Sequence, residues 1–193
     1  MSDTRPVQVD TELARIWGLK GIQESQITSS FRGLRSSFET HEERWNGRTV
    51  SSATLLERAE AYLAREVGII TTSDGRKLPD YKRSSVVGNL ARLAAALDEM
   101  EVLDKMARPL SEEFKATRWS RFFLVNNTDG HIHSSMNCST TQPTTLWSWL
   151  PLLSGLTEKA AVDAHGTRLC SACFPTAPVA WTILPPKAKK GAK

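Results

Sequence analysis

The sequence predicts an α+β protein, with a helical region over residues 1–115 followed by a small module over residues 116–184. Apolar residues recur at helical spacing through most of the first region. After Pro109 the pattern changes, because the run from Trp119 to Val125 is aromatic and β-branched and leads into residues typical of hairpin turns. A chain of 193 residues accommodates one domain, or one domain and a small module.

Two short helices are expected first. Asp10 can cap a helix N-terminus and Gly18 can stop a helix, which indicates a helix from Asp10 through Trp17. A second helix is indicated over residues 27–38, where apolar side chains fall on one helical face. These side chains are Ile27, Phe31, Leu34 and Phe38.

Two longer helices follow. One is predicted from Ser52 to Glu66, with Gly68 as its stop, and after a loop another runs from about Ser85 to Met106. Apolar residues between Val86 and Met100 alternate spacings of four and three, as in a coiled coil. This seam covers about two heptads, fewer than a true coiled coil needs. Packing within a helical hairpin is therefore favoured, and homodimerisation through this face stays open.

The module is predicted to contain a β-hairpin and a short helix. A strand over residues 119–125 leads through a turn at 126–130 into a second strand, His131-Ile-His133. A helix with a capping Thr and a terminal Gly is expected over residues 157–165. The apolar residues 179–184 indicate a last strand.

The net charge of +4 and the pI of about 9.1 arise at the C-terminus. Residues 1–118 carry equal numbers of basic and acidic side chains, as do residues 119–186, whereas residues 187–193 carry four lysines and no acid. Residues 185–193 are therefore predicted to form a disordered, lysine-rich tail. The rest of the chain lacks the excess positive charge that is typical of nucleic-acid-binding domains.

No membrane association is expected. The longest apolar stretch, residues 146–156, is interrupted by Ser, Pro and Gly and is shorter than the ~18 residues of a membrane span. Residues 1–10 contain no apolar segment like that of a secretory signal. A cytoplasmic location is the resulting expectation.

All three cysteines and three of the four histidines lie in the last third of the chain. Cys170-Ser-Ala-Cys173 is a C-x-x-C pair, a spacing that turns two thiolates toward one point. His133 ends the predicted hairpin, and Cys138 follows five residues later. Zn²⁺ prefers tetrahedral coordination by nitrogen and sulfur, and four protein ligands are typical of a structural zinc site. The predicted zinc ligands are His133, Cys138, Cys170 and Cys173.

The histidine ligand has an alternative. His131 and His133 point to the same face of a strand, because strand side chains alternate, so either could be the fourth ligand. His133 is preferred because it is closer to Cys138, whereas His131 directly follows the turn at Gly130. His165 is expected at the end of a helix, facing solvent.

No catalytic centre is recognisable. Zinc-dependent nucleobase deaminases carry H-x-E and P-C-x-x-C, but here His133 stands at the Glu position and Leu169 at the Pro position. A thioredoxin-like C-x-x-C requires a βαβ context, which the pattern does not predict. Phosphate-binding loops and hydrolase motifs are missing as well. The protein is therefore predicted not to be an enzyme.

The C-terminal part of the chain resembles uncharacterised proteins of actinobacterial phages. The similarity covers about residues 115–180, and its specific elements are His131-x-His133, Cys138 and Cys170-Ser-Ala-Cys173-Phe-Pro175. The resemblance implies a phage origin, the cytoplasm of a bacterial host, and a helical N-terminal half joined to a zinc-binding C-terminal half. Many of these relatives have a further Cys at the position of Thr141, and its replacement by Thr makes a histidine ligand more necessary.

The favoured function is that of a non-enzymatic zinc-binding protein that acts through a protein partner of unknown identity. Trp147, Trp149 and Trp181 could form the interface, because Trp is enriched at interface hot spots. Against this, a small module needs large apolar side chains for its own core, which is the favoured role for these tryptophans.

The alternative function is that of a nucleic-acid-binding or transcription-related zinc protein. The lysine-rich tail and residues 76–83 could contact phosphates, and Tyr81 could stack on a base. A solvated loop is the simpler interpretation of residues 76–83. Three thiolates and one Zn²⁺ sum to about −1, which favours a protein partner over nucleic acid.

Deletion of residues 185–193 is expected to leave folding and partner binding intact, because four flexible lysines supply only non-specific attraction to polyanions. Retention on duplex DNA should weaken, since the tail can contribute a salt slope of at most about four. Comparing full-length and truncated chains on DNA at low and high salt checks this. Loss of function on truncation, together with a sequence-specific DNA footprint of the full-length chain, would contradict it.

Overall fold

The α+β class is confirmed. A computed structural model of the chain describes residues 4–40, 43, 46–47, 49–65, 69–71, 77–127 and 130–183. The helices are α1 (Arg5–Phe38), α2 (Ser52–Leu63), α3 (Tyr81–Thr117) and α4 (Glu158–His165). The strands are β1 (Ile69–Thr71), β2 (Lys77–Pro79), β3 (Phe123–Val125), β4 (Ile132–His133), β5 (Trp147–Trp149), β6 (Leu169–Cys170) and β7 (Thr182–Ile183). The predicted tail over residues 185–193 lies outside the described residues.

The chain divides into two compact units. One unit is Trp17–Met106, and the other combines Met1–Ile16 with Ala107–Lys193. Helices α1 and α3 therefore contribute residues to both units. The predicted module over residues 116–184 falls within the second unit, which also takes in the first turns of α1.

Helix α1 corrects the prediction of two short helices. It runs without interruption through Gly18, where the sequence indicated a stop. A glycine costs about 1 kcal/mol in a helix interior, which packing elsewhere along the helix can offset. Val9, Ile16 and Leu34 of α1 are fully buried and supply such packing. Asp10 lies inside the helix and does not cap it.

Helix α3 is longer at both ends than the predicted helix over residues 85–106. Its N-terminus is at Tyr81, because Asp80 caps it by accepting a hydrogen bond from the Arg83 N–H at 3.1 Å. At the other end it continues through Pro109 to Thr117. Proline removes one helical hydrogen bond, yet the helix beyond it is held by Phe114, whose ring packs edge-on against Trp119 at 5.2 Å. The loop predicted before this helix contains the antiparallel pair β1 and β2.

The unit Trp17–Met106 has an aliphatic core of its own. Five side chains from α1, α2, α3 and the segment before α2 form it: Leu34, Val50, Leu55, Ala59 and Val86. Gly33 allows close packing here, because a Cβ at this position would lie 2.5 Å from the Asn89 side chain. Val86 and Leu93 of the predicted seam are buried within this unit, whereas Leu97 is half exposed. Homodimerisation through this face stays a prediction.

The second unit contains a five-stranded sheet in the order β5-β3-β4-β6-β7. The predicted antiparallel pairing is confirmed, with Phe123 opposite His133, but the strands are shorter than the predicted 119–125 and 131–133. Strand β5, which the sequence analysis missed, pairs antiparallel with β3, whereas β6 lies parallel to both β4 and β7. Residues 179–184 were predicted as a strand, but Val179–Trp181 form a 3₁₀ turn and only the following residues pair.

The core of this unit combines side chains from the sheet, from α4 and from the segments that connect them. It consists of Phe122, Ile132, Leu153, Ala161, Leu169 and Phe174. The predicted helix over residues 157–165 is confirmed, with Thr157 as its N-cap and Gly166, at a φ of 83°, as its C-cap. Gly130 is required in the hairpin, because a Cβ there would lie only 1.9 Å from the Val125 carbonyl oxygen.

A buried ion pair joins the first turns of α1 to the module. The Asp10 carboxylate is fully buried and accepts hydrogen bonds from Trp119 Nε1 at 2.8 Å, Ser154 Oγ at 2.6 Å and the Arg121 guanidinium. The same guanidinium lies 3.3 Å from the centroid of the Phe114 ring, in cation–π geometry. Asp10 therefore satisfies several buried donors at once.

Substituting Asp10→Ala should lower the free energy of unfolding by about 3–5 kcal/mol, because it leaves the buried charge of Arg121 unpaired. Glu12→Ala on the same helix is the matched control, since Glu12 pairs with Arg15 at the surface and its loss should change stability little. Denaturant unfolding followed by tryptophan fluorescence measures both. Equal effects of the two substitutions would contradict the role assigned to the buried pair.

Candidate metal centre

His133 and Cys170 are placed side by side by the sheet. Strands β4 and β6 run parallel, with Ile132 opposite Leu169, and the Ile132 N–H donates to the Arg168 carbonyl at 2.8 Å. The next residue of each strand therefore lies beside its neighbour on the same face. Both side chains are buried.

Cys173 is brought back toward Cys170 by a tight turn. The Cys170 carbonyl accepts hydrogen bonds from the N–H groups of Cys173 at 3.1 Å and Phe174 at 2.9 Å. Phe174 is buried, and its ring stacks on Phe122 with centroids 5.8 Å apart and planes inclined by 14°. The C-x-x-C pair is thus anchored to the core of the unit.

Cys138 comes from the loop after β4. Its carbonyl accepts a hydrogen bond from the Thr141 N–H at 3.1 Å and another from Thr141 Oγ1 at 2.7 Å, which closes a turn around the cysteine. The Thr141 hydroxyl serves the turn, and Thr141 is not a member of the group of candidate ligands.

The candidate ligand atoms of His133, Cys138, Cys170 and Cys173 all lie within 4.8 Å of one another. Cys138 Sγ is 3.9 Å from Cys170 Sγ, and Cys173 Sγ is 3.5 Å from His133 Nδ1. A zinc ion with bonds of about 2.3 Å to sulfur and 2.0–2.1 Å to nitrogen defines a tetrahedron with edges of about 3.8 Å and 3.6 Å. These two separations match two edges of such a tetrahedron, and each of the other four is at most 4.8 Å. The three cysteines are free thiols, without a disulfide between them.

The structure brings together the four residues that the sequence analysis selected. His131, the alternative ligand, lies outside the group, and its ring stacks on that of His133 with centroids 6.1 Å apart and planes inclined by 17°. His165 is the last residue of α4, as expected. The cluster is arranged as in a metal site, and the binding of zinc itself stays a prediction.

Two neighbours of the cluster were missed by the sequence analysis. Trp147 of β5 packs edge-on against the His133 ring, with centroids 5.2 Å apart and planes inclined by 87°, and restricts its orientation. Thr140 Oγ1 lies 3.1 Å from Cys138 Sγ. Thr140 could have been found from the sequence, because it is a hydroxyl residue only two positions after the predicted ligand Cys138. Nothing in the local sequence around Trp147 indicates that it packs beside a histidine.

The protonation equilibria favour a neutral imidazole. Burial, with a smaller contribution from the charge of His131, lowers the pKa of His133 to about 4, so this ring has a lone pair free for a metal at neutral pH. Burial raises the pKa of Cys173 to about 11. Burial also opposes ionisation of Cys138, but hydrogen bonds from Thr140 and from the other two cysteines outweigh it and lower its pKa.

Comparisons with protein-family models, curated proteins and solved structures find no match to this chain. The resemblance to phage proteins therefore rests on the residues quoted above and stays a prediction. Among the described helices, none is long and apolar enough to cross a membrane.

Protein purified without added metal is expected to contain one Zn²⁺ per chain. His133→Ala should lose it, because removing one ligand opens the tetrahedron, whereas His131→Ala should retain it, since that ring lies outside the cluster. Elemental analysis, with titration of native thiols, measures both. Zinc well below one equivalent in the unaltered chain, or equal loss in the two variants, would contradict the assignment.

Proposed function

We propose that the protein is a non-enzymatic zinc-binding protein in which a structural zinc ion stabilises the second unit, the one that contains the five-stranded sheet. The observation that carries this proposal is the match between the 3.9 Å sulfur–sulfur and 3.5 Å sulfur–nitrogen separations and the edges of a zinc-centred tetrahedron. Soft thiolate ligands with one imidazole favour zinc over magnesium or calcium, which prefer oxygen.

The closed ligand set supports a structural role. Catalytic zinc sites keep one position for water or substrate beside three protein ligands, whereas here four protein groups lie close enough together to supply all four ligands. His133 and Cys170 are buried, which also limits access to a bound ion.

Zinc at this site would join three separate segments of the unit. His133 ends β4, Cys138 lies in the loop that leads to β5, and the C-x-x-C pair begins with Cys170, the last residue of β6. Strands of two or three residues have little stability of their own. The free energy of metal binding would therefore be folding free energy for this part of the chain.

We further propose that this unit acts by binding another protein. Leu146 and Leu152 are 70% and 74% exposed and flank β5, an edge strand of the sheet, so they offer apolar contacts.

The tryptophans pack inward instead. Trp149 contacts the Phe123 ring at 5.4 Å, and Trp181 packs on the core of the unit, which supports their role in the module's interior.

Nucleic-acid binding is the second candidate, and the contacts of residues 81–83 favour it less. Lys82 Nζ lies 4.9 Å from the centroid of the Phe38 ring, and the Arg83 guanidinium donates to the Leu63 carbonyl at 2.9 Å. Both cations thus serve contacts within their own unit. Tyr81 remains 74% exposed and available for stacking.

A capture experiment tests the proposed function. Immobilised protein is incubated with lysate of an actinobacterium, the host that the resemblance implies, and the retained proteins are compared between variants. The unaltered chain should retain a partner, and Leu146→Ser combined with Leu152→Ser should lose it while keeping zinc. Val87→Ser, at a half-exposed position of the other unit, is the matched control and should retain the partner.

Removal of zinc by a chelator should abolish capture and lower hydrogen-exchange protection across residues 119–183, because the metal supports that unit. Protection across residues 52–63 and 81–106 should persist, since their core needs no metal. Capture that survives complete loss of zinc would contradict the structural role. Retention of DNA with a steep salt dependence, in place of a protein, would favour the second candidate.

A further inference from the structure

Thr140 touches the metal cluster without belonging to it. Its Oγ1 lies 3.1 Å from Cys138 Sγ and 3.6 Å from Cys170 Sγ, so one hydroxyl is within reach of two of the three sulfurs. The neighbouring Thr141 bonds only to the Cys138 carbonyl among the contacts given above.

Metal binding decides whether the Thr140 hydroxyl donates or accepts in its contact with sulfur. A threonine hydroxyl can donate or accept, whereas a thiolate can only accept. Cysteines bind zinc as thiolates, so in the loaded site the Thr140 hydroxyl must donate to sulfur.

The charge of the site explains why such donors matter. Three thiolates and one Zn²⁺ leave a net charge of about −1 in a partly buried cluster. Excess charge of this kind is costly to bury unless hydrogen bonds compensate it. Hydrogen bonds from neutral donors to charged acceptors are among the stronger ones in proteins.

We propose that Thr140 is a positioning residue of the zinc site. Its hydroxyl donates its single proton to Cys138 Sγ, with Cys170 Sγ as the more distant acceptor, and so holds the Cys138 sulfur in place and reduces its nucleophilicity. This inference rests on the proposed zinc function. Packing alone would not produce this role, because the influence of Thr140 on zinc affinity and thiolate reactivity depends on its hydroxyl and not on the shape of its side chain.

Three variants separate the hydroxyl from the loop. Thr140→Val removes the donor and keeps the shape, so it should weaken zinc binding about tenfold, in the range found for outer-shell partners of metal ligands. Thr140→Ser keeps the donor and should restore affinity close to that of the unaltered chain. Thr141→Val is the matched control, because it removes an adjacent hydroxyl that bonds to a carbonyl instead of a sulfur.

Zinc affinity is measured by competition with a chromophoric chelator, and the reactivity of the zinc-loaded thiolates by their rate of alkylation with iodoacetamide. Substitution of Co²⁺ for zinc adds a spectroscopic readout. In Thr140→Val the sulfur-to-cobalt charge-transfer band should move to lower energy, because a thiolate without its hydrogen bond is more electron-rich, and alkylation should be faster.

The outcomes distinguish this inference from the function on which it rests. An unaltered chain that binds no zinc would overturn the proposed function. Normal zinc binding, with Thr140→Val indistinguishable from Thr140→Ser in affinity, alkylation rate and cobalt spectrum, would overturn the role of Thr140 alone. Equal weakening by Thr140→Val and Thr141→Val with an unshifted cobalt band would reduce both residues to loop packing and would likewise overturn it.

Discussion

The pairing of Ile132 with Leu169 is the constraint on which the candidate site depends. These residues belong to parallel strands, which cannot be joined by a tight turn, and the connection between them contains Cys138, β5 and α4. Because side chains alternate along a strand, a slip of one residue would turn either His133 or Cys170 to the opposite face. The buried side chains of Ile132 and Leu169 oppose such a slip, since both belong to the core. The same apolar packing that folds the unit thus sets the spacing of two candidate ligands.

Much of the site could be predicted because its signals are local. The C-x-x-C spacing and the capping residues of α4 each act over a few residues, and each has the expected structure. Residues 128–129 of the predicted turn before His131 lie outside the described residues. Preference for His133 over His131 followed from distance along the chain, and it agrees with the group of atoms that the structure assembles. One C-x-x-C pair was enough to locate the cluster, because all three cysteines occur within one unit.

The parts that could not be predicted depend on contacts between distant segments. Gly18 has the chemistry of a helix stop, but α1 continues because its buried side chains gain more from packing than one glycine costs. Pro109 is overridden in the same way. Strand β5 has too few residues for a periodic signal and forms where it can pair with β3. Asp10 was expected at a helix end for its capping chemistry, whereas its actual partners lie more than a hundred residues away.

The long sequence separation between Asp10 and its partners affects both the design of fragments of this protein and its folding during synthesis. A fragment that begins near residue 116 would contain Trp119, Arg121 and Ser154 but would lack the Asp10 carboxylate to which all three donate. Such a fragment would be unstable because Asp10 is missing, and the instability could be misread as a requirement for a binding partner. The same separation along the chain affects folding during synthesis. Asp10 is synthesised more than a hundred residues before Trp119, Arg121 and Ser154, so the unit that contains them cannot complete its interior until these partners have followed.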